Sequence, residues 1–192
     1  LYACYALAEA DKDFRISLMK IKDRYDSIIN GLHLKLSLDD EFKTITENFK
    51  AHAGSDYAAS RGEYLNGIIM ANYLGYEFID SATVIFFDEE GEFDADKTNK
   101  VLSKKLESAE KAVIPGFYGA MPDGKVKTFS RGGSDITGSI VAKACRASMY
   151  ENWTDVSGCL VADPRVIKDP QPIKVVTYRE LRELSYMGAS VL

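Results

Sequence analysis

The chain has 192 residues, 46% hydrophobic and 28% charged, with a formal net charge of -5, enough for one domain with a sizeable core. The acidic balance argues against nucleic acid or an anionic membrane as the main partner, since both need a basic face, and no apolar run approaches the ~20 residues of a membrane span. Cys4, Cys145 and Cys159 are odd in number and far apart, and His33 and His52 have no ligating neighbour, so reduced thiols are expected and neither a disulfide framework nor a metal site is.

The first third reads as helix. Phe14, Leu18, Ile21, Tyr25, Ile28 and Leu32 fall at 4-3-4-3-4 spacing and draw one apolar stripe over 13–32, with Gly31 weakening the last turn. A second helix is expected over 39–51, with Phe42, Ile45 and Phe49 on one side, and a third over 60–74, with Leu65, Ile68 and Ile69. From Tyr76 short apolar runs alternate with turns and amphipathic stretches. Strands are expected at 78–79, 83–87, 112–114, 126–129 and 149–153, and helices near 97–109, 134–146 and 177–187. Strands interleaved with helices point to an α/β fold with a largely parallel sheet. Pro122-Asp123-Gly124 reads as a hairpin turn, and the acidic run 88–96 as a solvated loop.

Three segments could carry chemistry. In Thr128-Phe129-Ser130-Arg131-Gly132-Gly133-Ser134-Asp135 a strand ends, an arginine follows, two glycines turn the chain and a helix begins. Glycines admit close backbone approach, a helix N-terminus favours negative charge, and a guanidinium fork matches a carboxylate or phosphate. The same residues also fit an ordinary Gly-Gly turn with Ser134 as N-cap and Asp135 in the first turn. In Trp153-Thr154-Asp155-Val156-Ser157-Gly158 and Ala162-Asp163-Pro164-Arg165, Thr154 and Asp155 suit a ribose or base edge and Arg165 a phosphate; two plain polar turns are the alternative. Ser60-Arg61-Gly62-Glu63 has the spacing of a capping box, in which Ser60 and Glu63 would satisfy each other's backbone donors, whereas a functional Glu63 would face a ligand ammonium.

Arg61-Gly62-Glu63-Tyr64-Leu65, Ile114-Pro115-Gly116-Phe117-Tyr118-Gly119-Ala120, Ser130 to Asp135, Trp153 to Gly158, Ala162 to Arg165 and the run from Leu184 to Leu192 together resemble the aspartate kinases of the amino acid kinase superfamily. The likeness is carried by 60–192; before that it rests on helical pattern alone. It implies a three-layer α/β/α sandwich around a mainly parallel sheet, with a helical part over 1–60, a substrate- and nucleotide-binding part over 61–192, and C-terminal ACT regulatory domains outside this chain. It implies transfer of the γ-phosphoryl of Mg-ATP to the side-chain carboxylate of L-aspartate, the first step of lysine, threonine and methionine biosynthesis, in a cytoplasmic, homo-oligomeric full-length enzyme. By the same resemblance Arg131 would clamp a substrate carboxylate with Gly132, Gly133 and Ser134, and Glu63 would take the ammonium. Asp135 would line the pocket and organise the lysine that steadies the transferred phosphoryl. Thr154, Asp155 and Leu160 would face the nucleoside and Arg165 its phosphates, with no side-chain metal ligand.

The chain departs from that pattern in several ways. It opens at Leu1 rather than Met and has no Lys-Phe-Gly-Gly loop, its one Gly-Gly being at 132–133. Leu160 stands where many relatives have tyrosine, and Ser190 where many have lysine. The expectation is a kinase domain cut short at both ends, inactive as these 192 residues alone. Two other readings stay open: a superfamily kinase acting on glutamate, acetylglutamate or a nucleoside monophosphate, and a non-catalytic nucleotide-binding module.

Overall fold

A computed structural model describes all residues except 131, 154–157, 159, 164 and 187–192. It divides into two compact units, Leu1–Met149 and Tyr150–Leu192. In the first, four helices come first: α1 (Tyr2–Glu9), α2 (Arg15–Gly31), α3 (Asp39–Lys50) and α4 (Ser55–Leu74). Their apolar faces close one core in which Leu38, Ile45, Phe49 and Leu65 are fully buried, each contributing roughly 1.5–3 kcal/mol. Phe49 sits at its centre, edge-on to Tyr5, Phe14 and Tyr57.

The ends of these helices give the two histidines a structural place. His33 and His52 adopt left-handed backbone (φ 55 and 54) just beyond α2 and α3. There the amides of Leu34 and Ala53 reach back to the carbonyls of Ile29 and Asn48, the closure that ends many helices. Gly75 does the same for α4 at φ 68.

After α4 come β1 (Glu77–Phe78), α5 (Ala95–Glu107), β2 (Ala112–Val113), β3 (Tyr118–Ala120), β4 (Val126–Thr128) and α6 (Gly133–Ala144). Strands β1 and β2 pair in parallel, Glu77 opposite Ala112, while β3 and β4 form an antiparallel hairpin with Tyr118 opposite Thr128. Phe86 bridges Ala120 in parallel. Helix α4 packs on one side of these strands, Phe78 lying against Tyr64 and Gly67. On the other, α5 and α6 close a second core of Ile79, Val84, Ile85, Leu102 and Ile140. This is the α/β layering the resemblance implied. The hairpin turns at Asp123 and Gly124, where Gly124 has φ 83 and Met121 receives and returns bonds across the turn.

Three expectations are corrected. Helix α4 begins at Ser55, five residues before Ser60. Ser60 is therefore an interior, fully buried residue whose Oγ donates to the Tyr57 carbonyl, and no capping box forms there. The capping box instead opens α7 (Tyr178–Tyr186) in the second unit, where the amide and hydroxyl of Thr177 both donate to Glu180 and the Glu180 amide returns to Thr177. The stretch 83–87 is not a continuous strand. Asp80 accepts from the Ala82 amide and starts a 3-10 turn over Ser81–Thr83, whose Ser81 hydroxyl is bonded to the Pro115 carbonyl; only Phe86 and Phe87 make bridges. Residues 149–153 form no strand: Met149 and Trp153 are solvent-exposed and the indole donates to Glu151. Strand β3 was not anticipated. No described helix is long and apolar enough to cross a membrane.

Burial pushes the phenols of Tyr25, Tyr57, Tyr64 and Tyr118 above their usual value, and at Tyr118 the charge of Asp80 and the hydrogen bond donated to it add to the effect. The unfolded chain releases these protons near the ordinary tyrosine value of 10.0, whereas the folded chain keeps them. Their contribution to stability is therefore whole below that pH and lost as the pH rises through it toward the folded values. Urea midpoints are expected to fall steeply as the pH rises above about 10, with phenolate absorbance rising as the chain unfolds rather than before. Full titration of every tyrosine in the still-folded protein would refute this.

Candidate functional site

Helix α6 starts where β4 ends, and its first turn is held by backbone packing. Gly132 is the N-cap in left-handed conformation (φ 61, ψ 22), which an L side chain rarely adopts. Next to it Gly133 is buried, and a Cβ there would lie 2.5 Å from the Cβ and 2.8 Å from the Cα of Phe117. Gly116 meets Ser134 in the same way, 3.1 Å from its Cα. The segment following β2 is thus laid directly on the opening of α6. Thr137 locks it there: its hydroxyl accepts from the Phe117 amide at 3.0 Å and donates to the Gly133 carbonyl at 2.8 Å. Phe117 itself has φ 62, a strained value for an aromatic residue, and the Phe129 amide donates to its carbonyl.

This packing sets the role of each candidate residue. Gly132 and Ser134 are exposed and Asp135 is half-buried in the first turn. Helix geometry leaves the first-turn amides of α6 without an intrahelical carbonyl, at the positive end of the helix dipole. Ser134 is the second helical residue and not the N-cap, so it keeps its hydroxyl for other partners than the cap. Arg131 lies outside the described residues.

Helix α4 approaches the same end of the strands. Asp56, in its first turn, accepts both the amide and the hydroxyl of Thr128, each at 3.1 Å. Glu63 lies seven residues further along, two turns or about 10 Å, on the same helix face as Asp56, and is exposed. The Tyr25 hydroxyl donates to the Gly62 carbonyl at 3.2 Å, and the Glu63 charge adds to the rise in the Tyr25 pKa. The structure therefore joins the helix bearing Glu63 to the strand that leads into Gly132–Asp135.

The remaining candidates belong to the second unit. Thr154 and Asp155 lie outside the described residues. Leu160 is half-buried and bridges Pro172. Arg165 is exposed and paired with Asp163, its Nε 3.0 Å from both carboxylate oxygens and a terminal nitrogen 2.6 Å from one. The guanidinium's hydrogen bonds hold the Asp163 carboxyl below the usual carboxylate range. Such a solvated pair is weakly held.

Thr137 and Asp56 were not singled out from sequence, and Phe117 and Thr128 were seen only as members of longer segments. Gly116-Phe117 was visible as part of a motif, but nothing in its spacing says that it touches α6. Gly133→Ala is expected to destabilise the protein by about 1–3 kcal/mol, because the obstruction is backbone and cannot rotate away. Gly31→Ala, where nothing lies within 4 Å, is expected to stabilise by about 0.5–1 kcal/mol. Urea denaturation of both variants checks the pair; equal effects would show that α6 is not held by this contact.

Residues 14–192 match the sequence pattern of the amino acid kinase family. Aspartokinase 3 of Bacillus subtilis is 35% identical over 185 residues, covering 89% of this chain and 41% of that one. The crystal structure of the aspartate kinase of Clostridium acetobutylicum is similar with a TM-score of 0.89 at 50% identity, covering 96% of this chain and 43% of that one. That of E. coli aspartokinase III in complex with aspartate and ADP is similar with a TM-score of 0.70 at 25% identity, covering 88% of this chain and 44% of that one. The chain thus spans less than half the length of the relatives it matches. With its strands layered between α4 and the α5–α6 pair, and a Gly-Gly turn opening α6, the chain belongs to the amino acid kinase family.

Proposed function

We propose that this chain is the larger part of the catalytic domain of an aspartate kinase, a cytoplasmic enzyme that uses Mg-ATP and L-aspartate. The observation that supports this most is the opening of α6. A first turn held by Gly133 on the Phe117 backbone and by Gly116 on Ser134 comes directly after Arg131 in sequence, in a family whose member from E. coli forms a complex with aspartate and ADP. In this reading Arg131 forks a substrate carboxylate, with Gly132, Gly133 and Ser134 donating backbone amides to it. Glu63 takes the ammonium and Asp135 lines the pocket. Thr154, Asp155 and Leu160 border the nucleoside, and Arg165 exchanges Asp163 for phosphate oxygens. Magnesium enters with the nucleotide as part of the substrate, held by its phosphates.

The chemistry suits these groups. A side-chain carboxylate oxygen of aspartate attacks the γ-phosphorus, the bond to the β–γ bridging oxygen breaks, and ADP leaves with that electron pair. The nucleophile is already deprotonated, so the protein's task is alignment and charge neutralisation.

The test uses the complete product of the gene, incubated with Mg-ATP and hydroxylamine, with hydroxamate followed for L-aspartate against L-glutamate. Aspartate is expected to react and glutamate is not, with Arg131→Ala and Asp135→Ala each lowering the rate about 100- to 1000-fold. A folded, ATP-binding protein that yields hydroxamate with neither amino acid would replace this reading by a non-catalytic nucleotide-binding module.

A further inference from the structure

The junction of α4 with β4 carries an inference about selectivity, and it rests on the aspartate kinase reading. The two groups proposed to hold the amino acid sit on different elements. Glu63 is on α4, and Arg131 lies three residues after Thr128 in sequence, directly before the Gly132 turn that opens α6. A substrate held at both ends measures the separation of those elements. That separation is set where they touch, and near the turn the touching groups are Asp56 and Thr128. The carboxylate takes the Thr128 amide on Oδ2 and the Thr128 hydroxyl on Oδ1, both at 3.1 Å. Two bonds from one planar carboxylate to one residue fix direction as well as distance.

The surroundings make this contact a stop rather than a hinge. Ahead of Asp56, Gly54 opens α4 with φ 102 and its amide donates to the Tyr5 hydroxyl at 2.9 Å, which fixes the start of the helix on the first core. Beyond Thr128, the Phe129 amide donates to Phe117 and the Phe129 Cβ stands 3.0 Å from where a Gly133 Cβ would be. The strand end cannot slide without disturbing α6. Asp56 is also not spent as a helix cap: α4 has no side-chain cap hydrogen bond, so both carboxylate oxygens serve the strand.

We propose that Asp56, through Thr128, is a positioning residue that sets the distance between the Glu63 face of α4 and the Gly132–Ser134 turn that opens α6, and so selects a four-carbon amino dicarboxylate over its five-carbon homologue. Asp56 touches neither substrate. Its loss lets the turn drift from α4, which weakens the grip on aspartate and relaxes the exclusion of glutamate, while the nucleotide side is left as it was.

The experiment measures kcat and KM for L-aspartate, L-glutamate and ATP in the complete gene product and in its Asp56→Ala, Thr128→Val and Thr128→Ser variants, with thermal unfolding recorded for each. Asp56→Ala and Thr128→Val are expected to raise the KM for aspartate on the order of 10- to 100-fold and to narrow the aspartate-to-glutamate preference by a similar factor. KM for ATP should stay within about twofold, and Thr128→Ser, which keeps amide and hydroxyl, should behave as wild type. If Asp56→Ala does not fold, Thr128→Val carries the test, since it removes one bond and preserves strand and shape. An active wild type whose variants keep their aspartate KM, or lose affinity for aspartate and ATP in step, overturns the positioning role alone. A wild type inactive on aspartate overturns the aspartate kinase reading and this proposal with it.

Discussion

The buried guanidinium of Arg61 is the joint on which the rest of the first unit is assembled. It is only 6% exposed, and a charge so placed is tolerated only where polar and polarisable groups replace water. Ser60 Oγ accepts from its Nε and from one terminal nitrogen, at 3.1 and 3.0 Å. Three rings surround it, with Tyr64 at 4.3 Å, Tyr57 at 4.6 Å and Tyr118 at 5.4 Å, each offering the negative face of its π-system. Tyr118 then donates to Asp80 at 2.7 Å, so the arginine's charge is balanced by a carboxylate reached through a phenol. Tyr57, Ser60, Arg61 and Tyr64 belong to α4, Tyr118 to β3, and Asp80 caps the 3-10 turn after β1. One charge therefore fastens three elements that are distant in sequence, and removing it would leave three rings and a hydroxyl arranged around nothing.

The site is a consequence of that fastening. With α4 seated on the hairpin, Asp56 reaches the end of β4, and β4 delivers the chain into the Gly-Gly turn. From the other side the segment after β2 is pressed on the first turn of α6 through Gly116 and Gly133, closer than any side chain would allow. The α6 N-terminus is thus held on two sides by atoms that cannot rotate away, which is what an anion-binding helix end requires if it is to be preorganised rather than induced.

The helices were readable from sequence because each carries its own period. The stripe from Phe14 to Leu32 and the Phe42, Ile45, Phe49 series correspond to α2 and α3 within two residues, and the turn at Asp123-Gly124 was set by local chemistry alone. The strands were harder. Tyr118–Ala120 is three residues, all buried, with no alternation to show and a glycine at its middle. The run 83–87 has strand-forming side chains, yet Asp80 holds the backbone in a tighter turn first. Ser60 and Glu63 had the right spacing for a cap but sit inside a helix that Gly54 and Asp56 begin earlier. Within the candidate site, the Gly132–Asp135 turn was legible because glycine and helix-start residues carry conformational meaning locally. Asp56 and Thr128 were not, because their significance lies in a contact across 72 positions.

Burial raises the phenols of the α4–hairpin joint above their ordinary value, and at Tyr118 the charge of Asp80 raises it further. Perturbed titration often marks catalytic groups because proton transfer needs a tuned acid or base. Transfer to a carboxylate needs neither, since the acceptor is ionised before it binds. In an enzyme of that kind tuned acidity has no work at the reacting centre, and low dielectric is better spent where it strengthens a structural joint. In the first unit the buried charge lies in the Arg61–Tyr118–Asp80 chain, while the opening of α6 is shaped by Gly116, Gly132 and Gly133 and the end of β4 by its bonds to Asp56.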